Sequence, residues 1–152
     1  MTVRPSSKNP RVELIAEDVS VTKDEALWKL ASLLAAEGPH REREIFRALA
    51  DREELGTTGL DTRSAFPHAI LPDLDDILLA VLVVPSGVEF QGPKPAVLLF
   101  ALIAPPEKQV DMLRRVVRLA RAFEGRAARD KLLDAVSAED AAMILADEEA
   151  GA

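Results

Sequence analysis

One histidine stands in a sequence context where its side chain can do chemistry. His68 closes the segment Ser64-Ala-Phe-Pro-His68, between a short apolar stretch and an acidic loop. Pro67 restricts its own φ and the backbone of Phe66, so we expect the imidazole to stand on a stiffened chain. A histidine held in this way can act as a nucleophile or a general base. The alternative is a histidine that only hydrogen-bonds at the surface, as we expect for His40 in an interhelical turn.

Groups that can bind an anion precede this histidine in the chain. Arg52 lies at the end of a predicted helix, and its guanidinium fork matches the oxygens of a phosphate. Its alternative role is that of a C-terminal cation favoured by the helix dipole. Thr57, Thr58 and Gly59 can present hydroxyls and backbone N–H groups to an anion. No Gly-rich nucleotide-binding motif accompanies them, so the sequence predicts no nucleotide site.

Composition excludes several other classes of site. The 152 residues carry a net charge of −7, which disfavours nucleic-acid binding because phosphates require an excess of Lys and Arg. There is no cysteine, which excludes disulfides, a thiolate nucleophile and cysteine-bound metals. There are only two histidines, and the carboxylates form no recognisable metal or glycosidase pattern. We therefore expect neither a metal nor an organic cofactor.

The apolar runs are too short for a transmembrane helix. The longest, Ile77–Val84 and Ala96–Ala104, fall well below the roughly 20 residues needed to cross a bilayer. The first ten residues are polar and have no apolar core of the kind found in signal peptides. We predict a cytoplasmic chain without direct membrane insertion.

Several segments have the patterns of β-strands. The two apolar runs Ile77–Val84 and Val97–Ala104 are typical of strands that are covered on both faces. We expect the first to be broken at Pro85-Ser86-Gly87. Shorter strands are predicted within Val12–Val21 and at Ser64–Phe66.

The remaining segments have helical periodicity. Thr22 and Glu25 form a capping box before the first helix, and a second helix is predicted from about Arg41 to Glu54. A last helix, Ala138–Ala146, follows a candidate cap at Ser137. A long helix between them has a predicted buried stripe and an opposite basic face, which we expect to be solvated and paired with acids. The stripe consists of Met112, Leu113, Val116, Val117, Leu119, Ala120 and Phe123, and the basic face consists of Arg114, Arg115, Arg118 and Arg121.

The order of these elements predicts one α/β domain in which a mixed sheet is sandwiched between helices. We place the domain at residues 10–148. A flexible N-terminal tail at residues 1–9 and a C-terminal tail at residues 149–152 flank it.

Two neighbouring motifs resemble a known family. Arg52-Glu-Glu-Leu-Gly-Thr-Thr-Gly59, followed by Ser64-Ala-Phe-Pro-His68, is similar to the pattern R-E-x-x-G-S-T-G-I-G-N-G-x-A-I-P-H. This pattern belongs to EIIA domains of the fructose/mannitol type of the bacterial phosphoenolpyruvate–sugar phosphotransferase system, and to the related nitrogen-regulatory EIIA proteins. The spacing from arginine to histidine is the same, and the likeness extends from about Val12 to Ala146. The resemblance also implies a mixed sheet with helices on both sides.

The resemblance implies a phosphocarrier, a phosphotransferase component that uses a transient phosphohistidine. His68 would accept a phosphoryl group from HPr or its nitrogen-branch paralogue, then pass it to an EIIB domain or hold it as a regulatory mark. Arg52 would bind the phosphoryl oxygens and offset their charge during transfer. Thr57 and Thr58 would line the phosphate-binding pocket, at the place of the family's Ser-Thr pair.

Three departures from the family pattern surround the predicted site. Gln109 stands where the family carries a second histidine; its amide can hydrogen-bond but cannot carry positive charge. Asp61-Thr62-Arg63 replaces Gly-Asn-Gly, which removes backbone freedom. It also brings the cation Arg63 to the pocket as a further phosphate-binding candidate. Ile70 occupies a position that is often basic in the family.

These departures leave two functions open. The first is the phosphocarrier, which needs exposed apolar residues around His68 to dock its partner; Phe66, Ile70 and Leu71 are the candidates. The second is a degenerate EIIA-fold regulator that binds a protein without transferring phosphate. An exposed strand edge would also allow a homodimer.

Overall fold

Helices cover both faces of a single mixed sheet. The computed structural model describes residues 10–36 and 38–152, so the predicted N-terminal tail lies outside the described residues. The strands are β1 (Arg11–Leu14), β2 (Ser64–Ala65), β3 (His68–Ile70), β4 (Leu78–Val88) and β5 (Ala96–Ala104). The helices are α1 (Lys23–Ala35), α2 (Glu42–Glu54), α3 (Gln109–Ala122), α4 (Arg126–Leu133) and α5 (Ala138–Ala150), with a 3-10 turn at Pro106–Lys108 before α3. The predicted α/β class and its sandwiched sheet are confirmed.

The sheet has the strand order β1-β4-β5-β2, and β3 also pairs with β5. Strands β4 and β5 run antiparallel, whereas β1 is parallel to β4 and both β2 and β3 are parallel to β5. Strands β2 and β3 therefore lie one after the other along the same edge of β5. Residues 66 and 67 interrupt this edge immediately before His68.

The two central strands are buried on both faces, as their apolar runs predict. Alternate side chains point to opposite sides of a strand. Leu82 of β4 and Leu99 of β5 pack in the core against α1 and α2. Their neighbours Val81 and Phe100 pack in the second core, beneath α3, α4 and α5. The sheet thus separates two apolar layers, and every side chain of β5 is buried.

Local signals set the helix starts. In the α1 capping box, the Thr22 hydroxyl accepts from the Glu25 N–H at 3.1 Å, and the Glu25 carboxylate accepts from the Thr22 N–H at 2.8 Å. The backbone hydrogen bond from Thr22 is the main cause that lowers the pKa of Glu25, because it favours the charged carboxylate. Ser137 caps α5 by accepting from the Asp140 N–H at 3.0 Å. Both predicted caps are confirmed.

Two predicted boundaries are wrong. Strand β4 does not break at Pro85-Ser86-Gly87 but continues to Val88, with its register against β5 shifted after Val83. Gly87 has φ +86°, a left-handed conformation that glycine adopts without a Cβ clash, and it lets the strand turn through this irregularity. The last helix, α5, runs to Ala150, four residues beyond its predicted end at Ala146.

The predicted buried stripe of α3 is too wide. Met112 and Leu119 are buried in the helix, and Phe123 is buried just after it. Leu113 and Val117 are 42% and 52% exposed. The reason is geometric: a helix lying on a sheet buries one side, and within residues 10–36 and 38–152 no element covers these two side chains. Two large apolar side chains are left on the surface next to His68.

No helix in residues 10–36 and 38–152 is both long and apolar enough to cross a membrane.

Candidate functional site

The hydrogen bond of His68 determines which ring nitrogen is reactive. Its Nδ1 lies 2.8 Å from the carbonyl oxygen of Phe66, two residues earlier. A carbonyl oxygen only accepts hydrogen bonds, so Nδ1 carries the proton and donates it. In the neutral ring the proton on Nδ1 leaves Nε2 with a free lone pair. The side chain is partly exposed, and Nε2 is therefore the ring nitrogen with a lone pair to offer to a reacting group.

A polar cleft brings the three predicted catalytic residues together. Arg52 from the last turn of α2, His68 from the start of β3 and Gln109 from the start of α3 all line an open cleft of about 730 Å³. The Arg52 guanidinium donates through Nη1 to the Gly56 carbonyl at 3.0 Å, which keeps the side chain near the end of its helix. Because Gln109 is the first residue of α3, the positive end of that helix dipole also lies at this cleft. The cleft therefore combines a nucleophilic ring with groups suited to an anion.

A second, apolar cleft also borders His68. It measures about 460 Å³ and shares His68 with the polar cleft. Its lining residues are Thr58, Leu60, Thr62, Phe66, His68, Val116, Val117, Ala120, Arg121 and Glu124. The imidazole thus stands between a polar and an apolar depression at the open edge of the sheet. This arrangement suits a group that must meet the surface of another protein.

The basic face of α3 divides into two parts. Arg115 donates to both Glu149 carboxylate oxygens at 2.9 and 3.2 Å, and Arg118 pairs with the same carboxylate at 3.3 Å. Arg114 lies 3.8 Å from Asp111. These three arginines form the paired face that we predicted, whereas Arg121 lines the apolar cleft beside the histidine.

The predicted phosphate-binding residues occupy three different environments. The Thr57 hydroxyl donates to the Phe90 carbonyl and accepts from the Gly59 N–H at 3.0 Å, and Thr57 lines neither cleft. Thr58 lines the apolar cleft, but its hydroxyl and N–H both bind Glu53. Arg63 is exposed and also lines neither cleft. None of these three residues lines the polar cleft.

The loop that replaces the family's glycines keeps a glycine-like backbone. Arg63 has φ +65°, a left-handed conformation that strains any residue with a Cβ. The Arg63 carbonyl accepts from the N–H groups of Val97 and Leu98 at 2.8 and 3.3 Å, and the Thr62 carbonyl accepts from Arg129 Nη1 at 2.9 Å. Hydrogen bonds to β5 and α4 therefore stabilise a loop conformation that glycine would adopt without strain.

Two of the three predicted docking residues are buried, which corrects that prediction. Phe66 is 3% exposed and stacks on Phe100 with ring centroids 5.0 Å apart, and Leu71 is 9% exposed. Ile70 is partly exposed and lines the polar cleft. Phe66 and Leu71 lie just outside the edge strands and belong to the core because they contact β5: Phe66 stacks on Phe100, and the Leu71 N–H donates to the Ala104 carbonyl at 2.9 Å.

The exposed apolar residues around the site come from other elements. Five such residues line the clefts beside His68 or the shallow depression on α3, and we call them the apolar rim: Leu55, Leu60, Val110, Leu113 and Val117. Part of the apolar rim was predictable from the sequence, because the apolar stripe of α3 is unusually wide. One sheet cannot bury residues spread over so broad an arc of a helix.

Glu53 is a buried carboxylate to which the sequence alone assigned no role. Its side chain is 3% exposed and pairs with Lys23 Nζ at 3.3 Å. Ile45, Leu49 and Glu53 follow one another at intervals of four and share the inward face of α2. That spacing was the sequence signal for a buried acid, because it places Glu53 on the same helix face as two core residues.

His40 hydrogen-bonds within the fold, as expected, but it is buried and does not lie at the surface. It is 9% exposed, and its Nε2 hydrogen-bonds the Pro72 carbonyl. Its Nδ1 lies 3.2 Å from the Glu44 carboxylate. Hydrogen bonds from the Arg41 N–H and from His40 lower the pKa of Glu44. These contacts attach the start of α2 to the loop that follows β3.

Among the described residues, no group of three or more His, Asp or Glu side chains is placed to hold a metal ion.

The family model described as "Phosphoenolpyruvate-dependent sugar phosphotransferase system, EIIA 2" matches residues 11–148. The chain belongs to this EIIA family. The resemblance read from the motifs at residues 52–59 and 64–68 is confirmed, and so is the expectation that the likeness covers most of the chain. Membership supports a phosphocarrier or regulatory role, since EIIA proteins are phosphotransferase components.

Individual relatives of this EIIA chain carry nitrogen-regulatory names or a fructose-specific EIIA name. A nitrogen regulatory protein of Bradyrhizobium diazoefficiens is 38% identical over 102 residues, which is 66% of this chain and 67% of the relative. A fructose-specific EIIA component of Haloferax volcanii is 30% identical over 151 residues, 97% of this chain and 98% of the relative. The crystal structure of nitrogen regulatory protein IIA-Ntr from Neisseria meningitidis superposes with a TM-score of 0.79 at 28% identity, covering 88% of this chain and 91% of that one.

Proposed function

We propose that this EIIA chain is a phosphocarrier whose acceptor atom is Nε2 of His68. The phosphoryl donor is the phosphohistidine of HPr or of its nitrogen-branch paralogue. The observation that carries the proposal is the hydrogen bond from Nδ1–H to the Phe66 carbonyl, which leaves the Nε2 lone pair at an open cleft. The phosphoryl group then passes to an EIIB domain or remains as a regulatory mark.

The transfer is an in-line displacement at phosphorus. The Nε2 lone pair forms the new N–P bond while the donor's N–P bond breaks, and its electron pair returns to the donor nitrogen. The Phe66 carbonyl stabilises the positive charge that develops on the ring by accepting from Nδ1–H. Arg52 has further N–H donors beyond the one bound to Gly56, and these are available for the phosphoryl oxygens.

We infer that the apolar rim is the docking surface for the protein partner. A phosphoryl group moves between two proteins only if their histidines approach within bonding distance, so the contact must surround His68. Leu113 and Val117 are large, exposed and adjacent to the clefts that share this histidine. Burial of such side chains drives most protein association.

One observation favours a second function, that of a regulator that binds its partner without phosphoryl transfer. Gln109 lines the polar cleft where the family carries a histidine. An amide cannot supply a positive charge to the transferring group.

Intact-mass spectrometry separates the two functions. The protein is incubated with phosphoenolpyruvate, enzyme I and HPr, in parallel with H68A. H40Q serves as the control, because it removes the other histidine and keeps an amide donor for the Pro72 carbonyl. A phosphocarrier gains one acid-labile phosphoryl group in the wild type and in H40Q but not in H68A. No gain with HPr or its nitrogen-branch paralogue would overturn the proposal in favour of the binding-only regulator.

A further inference from the structure

The buried carboxylate of Glu53 makes two hydrogen bonds to a single residue. Its Oε1 accepts from the Thr58 N–H at 3.2 Å, and its Oε2 accepts from the Thr58 hydroxyl. Lys23 Nζ lies 3.3 Å from Oε1 and supplies the opposing charge. A carboxylate buried in this way is costly unless its oxygens are occupied, and here both are. The Thr58 peptide is therefore held rigidly against the end of α2.

A chain of backbone hydrogen bonds leads from this carboxylate to the acceptor histidine. The Thr58 carbonyl accepts from the Phe66 N–H at 3.2 Å. The Phe66 carbonyl in turn accepts from His68 Nδ1 at 2.8 Å. Thr58 and Phe66 are each hydrogen-bonded through both the N–H and the C=O, and these groups belong to the two rigid peptide planes that flank the Cα. The orientation of the Phe66 carbonyl thus depends on how Thr58 is held.

We propose that Glu53 is a positioning residue that keeps the His68 proton on Nδ1 by fixing Thr58 and, through it, Phe66. The inference rests on the proposed role of His68 as phosphoryl acceptor. Glu53 lines neither of the two clefts beside the imidazole and acts only through the intervening peptides. The role needs two acceptor oxygens on one rigid group, which a carboxylate supplies and an amide does not.

The first test is E53Q, with E54Q as the matched control. The E53Q side chain has nearly the same volume as the native one but only one acceptor oxygen, whereas Glu54 is exposed on the outer side of the same helical turn. We expect E53Q to slow phosphoryl acceptance by about tenfold through misplacement of the nucleophile. We expect E54Q to match the wild type.

The decisive readout is the tautomer of His68, observed by long-range ¹H–¹⁵N NMR of the ring. In the wild type we expect a protonated Nδ1 and an unprotonated Nε2. In E53Q the two nitrogen shifts should move towards those of a tautomer mixture, and in E54Q they should not. This measurement needs no phosphoryl donor. If the wild type accepts no phosphoryl group, the proposed function fails while the positioning proposal is still tested.

A second pair of variants keeps the test valid if E53Q folds poorly. T58V removes the hydroxyl and keeps the shape and the N–H, whereas T58S keeps both donors. We expect an intermediate shift of the His68 signals and a smaller loss of rate for T58V, with T58S close to the wild type. Wild-type ring signals in E53Q or T58V would overturn the proposal. The same holds for a rate loss that merely follows the unfolded fraction measured by circular dichroism.

Discussion

The Nδ1–H of His68 donates a hydrogen bond of 2.8 Å to the carbonyl oxygen of Phe66. This contact is local in sequence, yet it exists because strand β2 ends at Ala65 and β3 begins at His68, both against β5. Pro67 between them fixes the turn, and its carbonyl accepts from the Leu102 N–H at 3.0 Å. The imidazole is thereby oriented by its own strand edge before any partner arrives.

The phosphoryl group should bond to Nε2 of His68 and not to Nδ1. Nδ1 is occupied by its proton and its carbonyl partner, whereas Nε2 carries the lone pair of the ring. Two-dimensional ¹H–¹⁵N NMR of the ring, coupled to ³¹P, identifies the bonded nitrogen in the phosphorylated protein. A phosphorus coupling to Nδ1 would contradict the tautomer assigned here.

Replacing Arg52 by Lys should slow phosphoryl acceptance by an amount on the order of tenfold. Lysine keeps the charge but loses the planar fork that can hold the Gly56 carbonyl and a phosphoryl oxygen together. The measurement is the rate of acid-labile phosphate incorporation with HPr in excess. R47K is the control, because Arg47 is exposed on the same helix and outside both clefts. Equal rates for R52K and the wild type would remove Arg52 from the mechanism.

Replacing Gln109 by His should raise the transfer rate or change the lifetime of the phosphohistidine. A second imidazole in the polar cleft can carry a positive charge beside the phosphoryl oxygens, which the amide cannot. Decay of the isolated phosphoprotein, followed by mass spectrometry between about pH 6 and pH 8, reports the lifetime over a range where histidine titrates (pKa about 6.5). Identical decay and transfer in both proteins would show that position 109 does not contact the phosphoryl group.

Replacing Val117 by Asp should weaken docking of the donor protein without unfolding this chain. Val117 is 52% exposed in the apolar rim, so the charge costs little in the free protein but must be desolvated in a complex. We expect the KM for HPr to rise by roughly tenfold while the melting temperature stays near that of the wild type. V136D is the matched control, because Val136 is 86% exposed and lies outside the rim. An equal rise in both variants would place the docking surface elsewhere.

Replacing Arg63 by Gly should stabilise the protein by up to about 1 kcal/mol. The gain comes from relief of the left-handed strain, of about 1–2 kcal/mol, reduced by the greater unfolded-state entropy of glycine. Urea unfolding compares R63G with R63A, which keeps a Cβ and hence the strain. Stabilisation by alanine as large as that by glycine would show that the arginine side chain, not φ, is the cause.

The sequence by itself indicated most of the elements and the candidate acceptor, His68. The apolar runs of β4 and β5 are typical of strands covered on both faces, and the capping box before α1 specified a helix start from its own side chains. The spacing between Arg52 and His68, together with the intervening motif, identified the family. These features are readable because they depend on local periodicity and on residue types at short separation.

Only the tertiary structure decided which surfaces of those elements are free. Leu113 and Val117 have the spacing of core residues, and Phe66 and Leu71 flank a surface histidine, yet the first pair is exposed and the second is buried. Exposure depends on which neighbouring layer covers a side chain, and this is set by contacts between residues far apart in the chain. The hydrogen-bonded connection between Glu53 and His68 also depends on the tertiary structure. It passes through peptides that meet only after the 57–67 segment folds back along β5.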